Sequence, residues 1–134
     1  MVARGYGSNT YQQTQVEGVE HDYLVILLMQ ALIKFLNRAA YAMADEDHET
    51  KADALAKADA VLSELVCSLD EEAGAELAGQ LRDLYAHWQA QLVNADIEDD
   101  LDTLNYVRQA VKGLADAWQE AWEKCRRDKN SQAA

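Results

Sequence analysis

The chain contains no proline. No position therefore forces a helix to stop for want of a backbone donor. Glycine is scarce as well, with six in 134 residues at Gly5, Gly7, Gly18, Gly74, Gly79 and Gly113. Both shortages favour long uninterrupted helices. Cysteine is limited to Cys67 and Cys125, too few for a disulfide framework. Cys125 lies on an apolar stripe and Cys67 beside one, so both are expected to be small buried hydrophobes. Basic residues are also few: 12 Lys and Arg face 24 Asp and Glu, a net charge of −12. That balance argues against a nucleic-acid partner, because phosphate contact relies on Lys and Arg. It argues equally against an anionic membrane surface and fits a neutral or basic partner. There is no glycine-rich phosphate loop and no Cys-x-x-Cys. Residues 1–20 are polar, with no basic head before a short apolar run, so no signal peptide is expected.

What is present is apolar residues at helical spacing. In LVILLMQALIKFL, residues 24–36, eleven of thirteen positions are apolar. A helix with one buried face shows a stripe of roughly 100°. Here Val25, Leu28, Leu32, Phe35 and Leu36 make one stripe. Leu24, Leu27 and Ala31 make a second. Ile26, Met29 and Ile33 fill part of what remains. Such a helix is either buried on most sides or awaits a partner. A membrane span needs roughly 20 apolar residues. Residues 24–44 reach that length only by including Gln30, Lys34, Asn37 and Arg38, so membrane insertion is not expected.

Four amphipathic segments follow in order. Residues 1–19 read as a mobile N-terminal arm whose large apolar anchors are Tyr6, Tyr11 and Val16. Helix one is expected from about His21 to Ala44, with Glu17, Glu20 and Asp22 at its positive end. Its second half, AAYAMA, would let a neighbour approach closely. Helix two is expected from about His48 to Leu69, with Asp47 as N-cap and Leu55, Ala58, Leu62, Leu65 and Leu69 inward. Helix three is expected from about Ala73 to Ala95 on Leu77, Leu81, Leu84, Trp88 and Leu92, with Tyr85 beside them. Helix four is expected from about Glu98 to Arg126. Its stripe is Ile97, Leu101, Leu104, Val107, Val111, Leu114, Trp118, Trp122 and Cys125. Residues 128–134 read as a frayed tail, which leaves 20–127 for the bundle. Short joins make neighbouring helices antiparallel. The fold class expected is all-α, an antiparallel four-helix bundle with a mobile arm.

Catalytic and metal chemistry find little support. Asp45-Glu46-Asp47, Asp70-Glu71-Glu72 and Glu98-Asp99-Asp100 all fall at helix starts, where caps and dipoles favour acids. None has the alternating ligands and central glycine of a calcium loop. A di-iron bundle needs Glu-x-x-His on two helices. The nearest match is Asp45-x-x-His48, once, in a join. Cys67 has no nearby His or Lys to activate it. His87 beside Trp88 reads as a surface histidine, and the Tyr85, Trp88, Trp118 and Trp122 stripe as core or contact surface. No enzyme activity, metal or cofactor is expected. Surplus apolar surface on one helix points instead to a protein partner, such as an amphipathic segment in a groove.

The ordered segments resemble those of the flagellar secretion chaperone for flagellin, the FliS family. They include YGSNTYQQTQVEG with Tyr11 and Val16, then LVILLMQALIKFLNRA. The most specific combination is SLD, GAELA and LRDLY with LVNADIEDD, and LADAW closes the set. The resemblance covers roughly residues 5–122. Three places depart from the pattern. No proline stands at Glu20-His21-Asp22-Tyr23. Met29-Gln30-Ala31-Leu32 replaces the usual Tyr-Asp-Gly-Ala. Ala86-His87 replaces an Asp-Tyr pair. The chain is thus similar to a divergent member or a paralogue.

The resemblance implies a cytoplasmic chaperone that uses no ATP. It would hold the self-assembling C-terminal segment of flagellin and present it to the flagellar export gate. The contact residues expected are Tyr11, Val16, Leu24, Leu27, Leu28, Ala31, Leu84, Tyr85, Trp88 and Leu92. The arm is expected to cover part of the groove when no client is bound. The alternative is an adaptor that forms a homodimer, or binds another partner, through helix one.

Overall fold

A computed structural model describes the backbone of residues 10–69 and 74–133 and the side chains of 20–69 and 74–131. It contains four helices: α1 (Thr10–Ala44), α2 (His48–Cys67), α3 (Ala75–Glu98) and α4 (Leu101–Ala133). Among the described residues there is no strand. The helices pack in a square in which α1 touches α2 and α4, and α3 touches α2 and α4. α1 and α3 are diagonal. Arg38 of α1 meets Asp53 of α2, and Asn37 of α1 meets Arg108 of α4. Further along, Tyr23 of α1 meets Trp122 of α4. The two α1–α4 contacts are fourteen residues apart on each helix, so this pair runs antiparallel without slipping.

The core follows the stripes. Met29, Leu32 and Leu36 of α1 meet Leu62 and Leu65 of α2, Tyr85 and Trp88 of α3, and Leu104, Val107 and Val111 of α4. Ala39 and Ala40 of α1 and Ala54 and Ala58 of α2 are buried as well, small residues that allow close packing. Glu20–Ala44 is long and apolar enough, by length and composition, to cross a membrane. Its inner face is nevertheless the spine of this core.

Several boundaries differ from those expected. α1 begins at Thr10, so its backbone is helical through the last ten residues assigned to the arm. Residues 1–9 lie outside the described residues. α4 runs to Ala133, through nearly all of the expected tail. The α3–α4 join lies later than the sequence suggests. Glu98 ends α3, and Asp99 turns the chain with φ 50°, a left-handed conformation that Asp tolerates better than most residues. Asp100 then caps α4, accepting from the Thr103 N–H at 3.1 Å and from the Thr103 hydroxyl at 2.7 Å. Ile97 therefore does not lead the α4 stripe and is 76% exposed. At the other join Asp47 caps α2 as expected, accepting from the Thr50 N–H at 3.2 Å. The cluster Asp70-Glu71-Glu72 lies outside the described residues.

One buried charge was not anticipated. Lys51 is on the inner face of α2, and its ammonium donates to the carbonyl of Asp96 at 3.0 Å. It also pairs with the carboxylates of Asp96 and Asp99. The hydrogen bond from Lys51 holds the Asp99 carboxyl below its ordinary 3.8. The hydrogen bond to Asp99 raises the Lys51 ammonium above its ordinary 10.5, against desolvation. The Asp99 contribution exists above the unfolded carboxyl pKa and is lost as pH falls through the lowered folded value. The Lys51 contribution exists below the unfolded ammonium pKa and is lost as pH rises through the raised one. The clamp is therefore complete between about pH 4 and about pH 10. Lys51→Met keeps the buried stem and removes the charge. It is expected to cost about 1–2 kcal/mol near neutral pH. Thermal melts of both proteins should converge in acid; a difference that persists unchanged there would place the stabilisation elsewhere.

Candidate functional site

Helix lengths set the shape of one end of the bundle. At 1.5 Å per residue, α1 is about 52 Å long and α2 about 30 Å. The Arg38–Asp53 contact puts the end of α2, at Cys67, about level with Leu24 of α1. Beyond that level α1 continues without α2 beside it. Leu24 is 48% and Leu27 43% exposed, and Tyr23 is exposed next to them. Leu28 and Ala31 are half-buried. These four, Leu24, Leu27, Leu28 and Ala31, fall at i, i+3, i+4 and i+7, one continuous flank of α1.

A pocket of about 270 Å³ opens at the same end. His21 and Val25 of α1, Leu69 after α2, Leu77 and Leu81 of α3, and Trp118 of α4 line most of it. Tyr85 also lines it, and burial pushes its phenol up to about 12, so the group stays a neutral hydroxyl. Leu77 is exposed beside the pocket. Across the α1–α4 seam the Tyr23 and Trp122 rings stand 5.4 Å apart, and the Arg126 guanidinium lies 4.8 Å from the Trp122 ring. The end of the bundle is thus an apolar hollow with an apolar helix flank next to it. It can receive large aliphatic side chains from a second polypeptide.

The structure divides the expected contact residues. Leu24, Leu27, Leu28 and Ala31 share the open flank. Leu84 is half-buried on α3. Tyr85, Trp88 and Leu92 belong to the core of the free protein, at 1%, 2% and 5% exposure. The inner face of α3 is centred on Ala78, Leu81, Tyr85, Trp88, Leu92 and Ala95, with Leu77 turned outward. Leu77, expected on the inward stripe, is outside that face, and Tyr85, expected beside the stripe, is inside it. The side chains of Tyr11 and Val16 lie outside the described residues, on helical backbone. Leu69, Leu77 and Trp118 were missed as pocket residues; each had been placed only on a core stripe. Both cysteines are exposed, against expectation. Cys67 is the last residue of α2, and Cys125 is on the part of α4 that runs past α2 and α3. His87 is exposed on the surface. Among the described residues no group of His, Cys, Asp and Glu could hold a metal ion.

The family model for the flagellar protein FliS matches residues 4–125. The chain belongs to the FliS family. The flagellar secretion chaperone FliS of Campylobacter jejuni is 33% identical over 112 residues, covering 84% of this chain and 88% of the relative. That of Bacillus subtilis is 31% identical over 120 residues, covering 90% and 89%. The flagellar secretion chaperone FliSB of Pseudomonas aeruginosa is 34% identical over 112 residues, covering 81% and 89%. The FliS match spans all four helices and therefore includes the open flank of α1 and the pocket beside it.

Proposed function

We propose that this protein is a cytoplasmic flagellar export chaperone that holds the C-terminal segment of flagellin on the apolar end of its bundle. The observation that carries this reading is the exposed pair Leu24 and Leu27 beside the open pocket of His21, Val25, Leu77 and Trp118. A soluble bundle has no folding reason to leave two leucines of its core helix uncovered. A segment that is unstructured alone gains burial there and loses ordering entropy, so its affinity remains moderate and its release possible. Release is what delivery to the flagellar export gate requires. Holding the segment needs no nucleotide and no bond-making chemistry. The bound segment is withheld from filament assembly.

The direct functional test is flagellin polymerisation followed by light scattering. An equimolar amount of this protein should suppress the rise in scattering. Polymerisation at an unchanged rate would contradict the proposal. A second reading has the same leucines pairing two copies through α1. Light scattering on the free chain separates the two, because a tight homodimer that covers Leu24 and Leu27 leaves no flank for a client.

A further inference from the structure

The flank of α1 that meets α4 has the opposite character. A groove of about 610 Å³ runs between the two helices, with Asn37, Asn105, Arg108, Lys112 and Asp116 among its lining residues. The Arg108 guanidinium spans the seam. Its Nε and Nη2 donate to Asn37 Oδ1 at 3.1 and 2.8 Å, and its Nη1 donates to Asn105 Oδ1 at 2.6 Å. Both acceptors are neutral amides. They fix the orientation of the fork and leave its charge uncompensated. Among the described residues no carboxylate forms an ion pair with it. Lys112 is exposed one turn further along α4, and Lys34 is exposed one turn before Asn37 on α1. Asp116 is the acidic residue lining the groove. Two cations, Arg108 and Lys112, thus line this groove, and Lys34 is exposed one turn from Asn37, in a chain whose net charge is −12.

A solvated charged face would need no such support. Here two asparagines from different helices hold one guanidinium in place, as a preset receptor for carboxylates does. Arg108 and Lys112 are four residues apart, the spacing at which carboxylates recur on one face of a helix. We propose that this groove docks an acidic helical segment of a second protein, its carboxylates meeting Arg108, Lys112 and Lys34. The groove lies on the other flank of α1 from Leu24 and Leu28. An acidic partner and an apolar client can therefore be held at once, which gives a loaded chaperone a separate handle.

The test uses the full chain and a labelled alanine-rich helical peptide with glutamate at every fourth position, followed by fluorescence anisotropy at low salt. The same peptide with glutamine at those positions is the control. The glutamate peptide should bind at least about tenfold more tightly than the glutamine peptide, and added salt should weaken it. The Lys34→Glu, Lys112→Glu double variant should lose at least about tenfold in affinity while keeping its helical circular dichroism. Both side chains are exposed, so neither change removes core packing. The Leu24→Asp, Leu27→Asp variant should bind the acidic peptide as the parent does, which separates this groove from the client surface. Equal binding of both peptides, or no loss in the double lysine variant, overturns the proposal. A concentration-dependent dimer that the lysine changes dissolve would also overturn it and assign the groove to a second copy of the chain.

Discussion

Trp88→Ala is expected to lower the unfolding free energy by about 3–5 kcal/mol, read from the midpoint of a denaturant titration. Domains of this size have about 5–15 kcal/mol in total, so the variant keeps only part of its stability. The size of the effect comes from the position of the ring. Trp88 is 2% exposed and packs at 5.9 Å, centroid to centroid, from Tyr85. Both belong to the cluster that joins all four helices. Truncation removes apolar burial and leaves a cavity that rigid neighbours fill only in part. Loss of client binding in this variant would therefore report unfolding. A destabilisation below about 1 kcal/mol would contradict this placement and return Trp88 to the contact surface.

Leu24→Asp with Leu27→Asp is expected to do the reverse. Both side chains are nearly half exposed on one flank of α1. The double variant should melt within about 1 kcal/mol of the parent. Its affinity for the flagellin C-terminal segment should fall by on the order of 100-fold or more, since interface anchors contribute about 2 kcal/mol or more each and 1.4 kcal/mol is tenfold. Two carboxylates on that flank would lose their hydration whenever a client covered them. Unchanged affinity would move the client off α1 altogether.

The bundle was legible in the sequence because its inward positions are aliphatic at regular spacing. Leu55, Ala58, Leu62 and Leu65 could be assigned without coordinates, and so could Leu104, Val107 and Val111. The open flank was legible for the same reason, since Leu24, Leu27 and Ala31 were surplus to one buried face. The rest depended on where the helices end. Asp99 accepts a left-handed turn, and that choice moves the α3–α4 join and turns Ile97 to solvent. Cys125 has core spacing but sits where α4 has run past the ends of α2 and α3. Lys51 reads as a surface lysine until the α3 C-terminus brings Asp96 and Asp99 to it. Tyr85 against Leu77 was decided by a small rotation of α3 about its axis, which periodicity alone does not fix. In each case the missing information was an alignment between two helices.

The central claim is that a disordered, apolar client folds onto the uncovered end of this bundle. Calorimetric titration of the full chain with the C-terminal segment of flagellin, repeated at several temperatures, tests it most directly. The expected result is one-to-one binding with a large negative heat-capacity change, the signature of apolar surface closing over a folding segment. Absence of heat at all temperatures, or binding with no heat-capacity change, would contradict it.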